Sequence, residues 1–130
     1  MKMDLETRKS RSKSEVIRNL LEIMIKKKTN LCLAADVTKF QNLVDLAEKV
    51  GEKICCLKTH VDILVDWKGQ ESIEILKNLA KKHNFLLFED RKLADIGKTV
   101  EGQFHDGLYS ISSWANLVTV HGLPGKIVKN

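Results

Sequence analysis

Several features that mark membrane and secreted proteins are absent from this sequence. No apolar run approaches the roughly 18 residues that cross a bilayer, and no apolar segment follows the basic start as it would in a secretory signal. An organelle transit peptide is the alternative for the arginine- and serine-bearing start, but Asp4, Glu6 and Glu15 argue against it. We therefore expect a cytoplasmic protein with no membrane segment.

Cysteine is scarce, and its spacing argues against two kinds of chemistry. Cys32, Cys55 and Cys56 form no Cys-x-x-Cys pair and no Cys/His pattern, so neither structural zinc nor thiol redox chemistry is indicated. All three lie within apolar runs, where a thiol behaves as a small hydrophobic side chain. We expect three buried thiols in a reducing compartment.

Aromatic residues make up only 5% of the chain, which weighs against a nucleic-acid-binding surface despite the net charge of +5. Residues 1–30 hold 9 Lys and Arg against 4 Asp and Glu, whereas residues 31–130 hold 13 of each kind. The basic excess therefore belongs to the N-terminal region, which begins with a basic arm at residues 1–13. Charged arms of this kind are usually solvated, and we expect no nucleic-acid partner.

Glycine-rich phosphate-binding loops are also missing. Gly97-Lys98-Thr99 resembles the end of a P-loop, but that motif needs a glycine where this chain has Lys92. The chain contains neither a Gly-x-Gly-x-x-Gly turn nor a Gly-x-Ser-x-Gly elbow. The familiar glycine-rich motifs therefore suggest no function.

The chain instead shows a regular alternation of short apolar runs and amphipathic segments. Thr38 and Gln41 form a capping-box pattern before one amphipathic segment, and Gly51 marks its end. Strands that are apolar on both faces and alternate with helices indicate a parallel sheet in an α/β fold. The predicted strands are 31–35, 54–57, 85–88 and 117–120, and the predicted helices are 14–27, 40–50, about 73–83 and about 98–106.

Charged side chains follow the predicted strands at their carboxyl ends. Asp36, Lys58, Asp90 and His121 each occupy such a position. In parallel α/β sheets this edge is where active sites form. Asp36 and Asp90 have an alternative explanation as N-caps of the next helices, but a lysine near a helix N-terminus is disfavoured by the helix dipole. We therefore take this edge as the candidate functional site.

Lys58, Asp90, Lys92 and Asp95 form the candidate catalytic constellation. If strand geometry persists through residue 92, Asp90 and Lys92 point to the same face, and Lys58 ends the neighbouring strand. Alternating charges at short range can keep two ammonium groups and two carboxylates ionised together. Such an array can stabilise a carbanion, crowd a substrate carboxylate and deliver a proton. It suits proton transfer or decarboxylation without a cofactor, and the spacing does not choose between them.

The segments FEDRKLADIGKT, ICCLKTHVDIL and NLCLAADV carry a family resemblance that covers residues 14–130. They are similar to orotidine 5'-monophosphate decarboxylases, above all to the decarboxylase half of animal UMP synthases. The resemblance implies a (β/α)8 TIM barrel, truncated here to a half barrel of about four parallel strands with covering helices. It also implies decarboxylation of orotidine 5'-monophosphate to UMP, without metal or organic cofactor, by a homodimer whose site is shared across the interface.

The resemblance further implies a role for each residue of these motifs. Lys92 would protonate C6 and stabilise the developing carbanion, and Asp90 would face the substrate carboxylate. Lys58 and Asp36 would hold the ribose hydroxyls and complete the charge array. The remaining expected contacts are His60 on the ribose-phosphate side, and Asp95, Ile96 and Thr99, which would reach the site of the partner subunit.

Two departures from the family pattern limit these expectations. Ala34 stands where relatives often carry a serine that touches the pyrimidine. The chain also stops at Asn130, about half way round a barrel, so the usual phosphate-binding loops after strands 7 and 8 lie outside it. Half a barrel exposes two sheet edges and an apolar inner face. We expect little or no activity from this chain alone, and either marginal folding or a tendency to self-associate.

Two other hypotheses stay open. In the first, the chain is a non-catalytic truncated module that dimerises with full-length decarboxylase. In the second, it is a related phosphate-sugar barrel enzyme, some of which bind magnesium. The combination of FEDRK-ADIG with LKTH argues against the second hypothesis.

Overall fold

The computed structural model describes residues 3–123, so the end of the predicted 14–130 domain lies outside the described residues. The strands within this part are β1 Cys32–Ala35, β2 Cys56–Thr59, β3 Leu86–Leu93 and β4 Leu117–Val120. The helices are α1 Leu5–Arg11, α2 Glu15–Lys27, α3 Phe40–Val50, α4 Gln70–His83 and α5 Gly97–His105. Short 3-10 turns occur at Gly51–Lys53, Val61–Ile63 and Ile111–Ser113.

The strands form one parallel sheet in the order β1-β2-β3-β4. Each strand pairs with the next one along the chain, and the connections between them contain α3, α4 and α5. In the register of the first three strands, Cys32 lies beside Cys56, which lies beside Leu86. The predicted α/β fold class is confirmed, and the arrangement matches half of a (β/α)8 barrel.

The main hydrophobic core lies between one face of the sheet and helices α3 and α4. Leu43 and Ala47 of α3 and Ile73 and Leu76 of α4 are almost fully buried, because they recur at helical spacing on the side that faces the sheet. Leu57 of β2 is completely buried among them. Burial of each such leucine or isoleucine stabilises the fold by about 1.5–3 kcal/mol, so this layer holds the ends of the strands in place.

A second core lies on the opposite face of the sheet. Ile23 of α2 packs there against Cys56 and Leu86. Strand alternation places Cys56 on the same face as Lys58, two residues further towards the carboxyl end of β2. Helix α2 therefore covers the amino-terminal part of this face, and the charged strand ends lie beyond it. The expectation of an uncovered apolar inner face is wrong for the part that α2 covers.

A residue from a distant loop binds the first turn of α3. The helix begins at Phe40 with Lys39 as its N-cap, and the cap makes no side-chain hydrogen bond. The backbone N–H of Phe40 instead donates to Asp66 Oδ1 at 2.7 Å. The predicted capping box of Thr38 and Gln41 is wrong, because the carboxylate of Asp66, which follows β2 in the chain, accepts the hydrogen bond from the first turn of α3.

The ammonium group of Lys27 joins three segments at the amino-terminal side of the sheet. Its Nζ atom lies 2.7 Å from the carbonyl oxygen of Gly51, 2.6 Å from that of Ile54, 2.8 Å from that of His83 and 3.0 Å from that of Asn84. Burial lowers the pKa of Lys27 from its ordinary value. Local sequence does not predict these contacts, because the acceptors are 24 to 57 residues away.

The basic arm contains a short helix. Helix α1 begins after Asp4, whose side chain accepts a hydrogen bond from the backbone N–H of Thr7. It lies against α2, and Lys9 Nζ is 3.4 Å from Glu22 Oε2. The division between an arm at 1–13 and a barrel domain from residue 14 stays a prediction.

The burial of the thiols differs from the expectation at one position. Cys55 and Cys56 are buried, but Cys32 is exposed. Cys32 belongs to β1, which lies at an edge of the described sheet and pairs only with β2. The expectation of three buried thiols is therefore wrong for Cys32.

None of the helices between residues 3 and 123 combines the length and the apolar character that crossing a membrane requires.

Candidate active site

The carboxylate of Asp90 is the centre of a charged cluster at the carboxyl end of the sheet. Its Oδ2 atom lies 2.7 Å from Lys58 Nζ, 2.8 Å from Lys92 Nζ and 3.2 Å from His60 Nε2. Lys58 is on β2, His60 follows the end of β2, and Lys92 is on β3 with Asp90. Both lysines therefore point into one site, which we call the Asp90 cluster.

Contacts within the Asp90 cluster stabilise the charged forms of its members. The hydrogen bonds from Lys58 and Lys92 hold the pKa of Asp90 well below its usual range. The hydrogen bond to Asp90 raises the pKa of Lys58. The side chain of Asp90 is only 10% exposed, whereas that of Lys92 is 54% exposed. Lys92 is thus the more accessible of the two lysines to a ligand.

Strand β3 is irregular where it presents Lys92. This residue has a φ of 53°, and the register with β4 shifts between Glu89 and Leu93. A left-handed conformation costs a residue with a side chain roughly 1–2 kcal/mol. The expected regular strand geometry does not persist through residue 92, yet the irregular backbone still brings Lys92 Nζ to Asp90.

Thr119 of β4 supports the cluster and is a site residue that sequence patterns do not predict. Its Oγ1 atom donates to Asp90 Oδ1 at 2.8 Å and accepts from the backbone N–H of Lys92 at 2.8 Å. One hydroxyl thereby holds both the carboxylate and the irregular backbone of β3. The only sequence signal is a hydroxyl residue inside the apolar run LVTV.

Glu89 immediately precedes Asp90 and is a second residue whose role sequence patterns do not predict. It is completely buried, and it accepts hydrogen bonds from Thr59 Oγ1 at 2.6 Å and from the backbone N–H of Val61 at 3.2 Å. Burial raises the pKa of Glu89 to about 7, although these hydrogen bonds oppose the rise. The signal available in the sequence is a carboxylate directly after the four apolar residues FLLF at 85–88.

The remaining expected site residues lie at the rim of the cluster or outside it. Asp36 is 57% exposed, and its Oδ1 atom is 3.9 Å from His60 Nε2. Asp95 is exposed, its Oδ1 accepts from the backbone N–H of Ile96 at 2.7 Å, and no ion pair among residues 3–123 joins it to a lysine. Ile96 is 70% exposed and Thr99 is also exposed, both near the start of α5. Three members of the predicted quartet meet, and Asp95 does not join them.

The alternative interpretation of the two aspartates as helix caps is wrong. No helix begins at Asp90, since β3 continues to Leu93 and α5 starts at Gly97. Asp36 precedes α3, but the acceptor of the Phe40 N–H in the first turn of that helix is Asp66 Oδ1. His121 is exposed beyond the end of β4.

His60, Asp62 and Glu89 form a group whose potential metal-ligating atoms lie within 4.8 Å of one another. The oxygens of Glu89 already accept hydrogen bonds from Thr59 and Val61, so its carboxylate is satisfied without a cation. The hydrogen-bonded arrangement therefore accounts for the position of Glu89.

These features define a parallel α/β sheet with a Lys-Asp-Lys cluster at its carboxyl edge. Barrel enzymes have their active sites at this edge. A model of the orotidine 5'-phosphate decarboxylase / HUMPS family matches residues 29–129, and the chain belongs to this family.

The chain is also similar to individual orotidine 5'-phosphate decarboxylases. It is 49% identical to that of Saccharomycopsis fibuligera over 119 residues, which cover 92% of this chain and 45% of the relative. It is 47% identical to that of Magnusiomyces magnusii over 124 residues, covering 95% and 44%. It is 46% identical to that of Yarrowia lipolytica over 120 residues, covering 92% and 42%. The chain spans less than half the length of these relatives.

Proposed function

We propose that this chain forms the β1–β4 half of an orotidine 5'-monophosphate decarboxylase site, and that it has little or no activity alone. The observation that carries the proposal is the single Asp90 oxygen at 2.7 Å from Lys58 Nζ and 2.8 Å from Lys92 Nζ. Family membership and the relatives named above support the choice of decarboxylation over simple proton transfer. The short coverage of those relatives supports the expected weakness of the chain by itself.

The Asp90 cluster suits the charge changes of this reaction. As the bond from C6 to the carboxylate breaks, carbon dioxide leaves and the electron pair stays on C6. The exposed ammonium group of Lys92 would stabilise that charge and then transfer its proton to C6. Asp90, held ionised by the two lysines, would lie against the substrate carboxylate in the ground state. No metal or organic cofactor takes part in this proposed sequence.

The other proposed roles concern the sugar and the partner subunit. Lys58 and Asp36 would contact the ribose hydroxyls, and His60 would face the ribose-phosphate side. Asp95, Ile96 and Thr99 would reach into the site of the partner subunit in a homodimer. The exposed positions of these last three residues near the start of α5 support the proposal. We propose a cytoplasmic location for the enzyme.

A chimera tests the proposed activity. This chain would be joined to the carboxyl-terminal part of the Saccharomycopsis fibuligera decarboxylase that it does not cover, and turnover of orotidine 5'-monophosphate would be followed by absorbance. We expect turnover by the chimera, very little by the unmodified chain, and none by a chimera with Lys92→Ala. A chimera with Lys98→Ala, which changes an exposed lysine outside the cluster, is the matched control. An inactive, folded chimera would contradict the assignment, as would full activity after Lys92→Ala.

A non-catalytic module is the second candidate function. Exposed apolar side chains such as Ile96, at 70%, and Leu108, at 60%, favour association with another subunit. In this case the chain would co-purify with a full-length family member and lower its activity. Failure to co-purify, with an active chimera, would exclude the module and leave the catalytic proposal intact.

A further inference from the structure

Two adjacent residues of β3 bind the end of β2 from opposite faces. Asp90 contacts Lys58 and His60 on the inner face. Glu89 contacts Thr59 and Val61 on the outer face. The alternation along the chain accounts for this division, because successive side chains of a strand point to opposite faces.

The contacts of Glu89 fix the backbone that carries His60. Thr59 is the last residue of β2, and its Oγ1 donates to Glu89 Oε2 at 2.6 Å. Val61 begins the following 3-10 turn, and its N–H donates to Glu89 Oε1 at 3.2 Å. His60 lies between these two anchored residues with backbone angles outside the helical and extended regions, φ −126° and ψ 80°. The conformation at His60 is therefore held from both sides.

We propose that Glu89 is a positioning residue, which holds the end of β2 so that Lys58 and His60 both face Asp90. The proposal rests on the proposed function only for its catalytic consequence. The positioning role itself depends on the contacts of Glu89 with Thr59 and Val61 within this chain. The hydrogen bonds of Glu89 go to Thr59 and Val61 and to neither lysine of the Asp90 cluster, and Glu89 touches no reacting atom.

Burial of a carboxylate costs free energy, and at position 89 the hydrogen bonds to Thr59 and Val61 offset that cost. A leucine at position 89 would leave the buried N–H of Val61 without its acceptor, at a cost of about 1–3 kcal/mol, and would remove the carboxylate partner of the Thr59 hydroxyl. Glutamine has nearly the same shape and keeps a carbonyl acceptor for Val61. Its amide can donate to Thr59 Oγ1, whose proton can turn to the carbonyl oxygen of Phe88 at 3.5 Å. Glutamine should therefore preserve the anchoring and leucine should not.

Nuclear magnetic resonance of the histidine rings measures the contact between His60 and Asp90 directly. The ring signals of this chain would be recorded with and without Asp90→Asn, in the wild-type, Glu89→Gln and Glu89→Leu backgrounds. The His60 signal is assigned by its loss in His60→Gln. His105, the last residue of α5, contacts Ser112 and serves as an internal control. The quantity compared is the change in the His60 signal that Asp90→Asn causes.

We expect Asp90→Asn to shift the His60 signal in the wild-type and Glu89→Gln backgrounds, and to leave it unmoved within error in the Glu89→Leu background. An undiminished response in folded Glu89→Leu would overturn the proposal. If Glu89→Leu fails to fold, Thr59→Val removes one anchor at nearly constant shape, and it should reduce the response. An unchanged response in Thr59→Val would then overturn the proposal.

The same substitutions in the chimera separate this inference from the proposed function. We expect Glu89→Leu to lower kcat and Glu89→Gln to restore most of it. If the unsubstituted chimera has no activity while the His60 response behaves as expected, the proposed function fails and the positioning role stands. Wild-type activity in the Glu89→Leu chimera would overturn the catalytic consequence of the positioning role.

Discussion

Replacement of Glu89 by glutamine should change how the folding stability of this chain depends on pH. Glu89 is completely buried, and burial raises its pKa from 4.5 to about 7 in the folded state. The folded protein therefore holds this proton more tightly than the unfolded chain does. Its contribution to stability is fully present below about pH 4.5 and is lost as pH rises through about 7.

The size of the effect follows from the two pKa values. The gap between 4.5 and about 7 corresponds to about 3 kcal/mol in the free energy of unfolding. Glutamine does not titrate, so this part of the pH dependence should disappear in Glu89→Gln. Relative to the wild type, the variant should gain about 3 kcal/mol of stability between about pH 4.5 and about pH 8.

Urea unfolding at several pH values, followed by circular dichroism and by fluorescence of the packed Trp67 and Trp114, measures this difference. Glu101→Gln, which removes an exposed carboxylate from α5, controls for the loss of one negative charge. Parallel pH profiles for the wild type and Glu89→Gln would show that folding does not raise the pKa of Glu89, and the reasoning from its burial would be refuted.

Three further substitutions test other contacts by the same urea assay. Lys27→Met should lower the free energy of unfolding by about 2 kcal/mol, because buried carbonyl groups lose a charged donor, and an unchanged midpoint would contradict this. Asp90→Asn should cost about 2 kcal/mol near neutral pH, because Lys58 loses its charged partner. The depressed pKa of Asp90 means that its contribution is present above about pH 3.8 and is lost on acidification, so the difference from wild type should shrink there and not grow. Asp66→Ala should cost about 1 kcal/mol by removing the acceptor at the start of α3, and a smaller loss in Thr38→Ala would confirm that Asp66 supplies the cap.

The sequence predicted the α/β class and the elements well because their signals are local. Apolar runs of four or five residues and helical periodicity depend only on neighbours along the chain. The predicted strand 85–88 was nevertheless too short, since β3 runs from Leu86 to Leu93. Its charged second half does not look like a strand, and its pairing with β4 is irregular.

The candidate site was predictable in part. Topology brings the carboxyl ends of parallel strands to one edge, so Lys58, Asp90 and Lys92 could be placed together from their positions after or within strands. Asp95 belonged to the same motif but lies outside the cluster, because the chain has already turned towards α5. The supporting role of Thr119 was hidden because its partners are 27 to 29 residues away on another strand.

The sequence by itself determined which segments form strands and helices, and that lysine and aspartate would meet at one edge of a parallel sheet. Only the tertiary structure decided how those charges are held, by Thr119 beside Asp90 and by Glu89 at the end of β2. It also decided that Lys27 bonds distant carbonyl groups at the opposite end of the sheet. The physical reason is range. Secondary structure and strand polarity follow from contacts between near neighbours. A hydrogen bond between distant segments requires that donor and acceptor be placed to within a few tenths of an ångström, and only packing sets that placement.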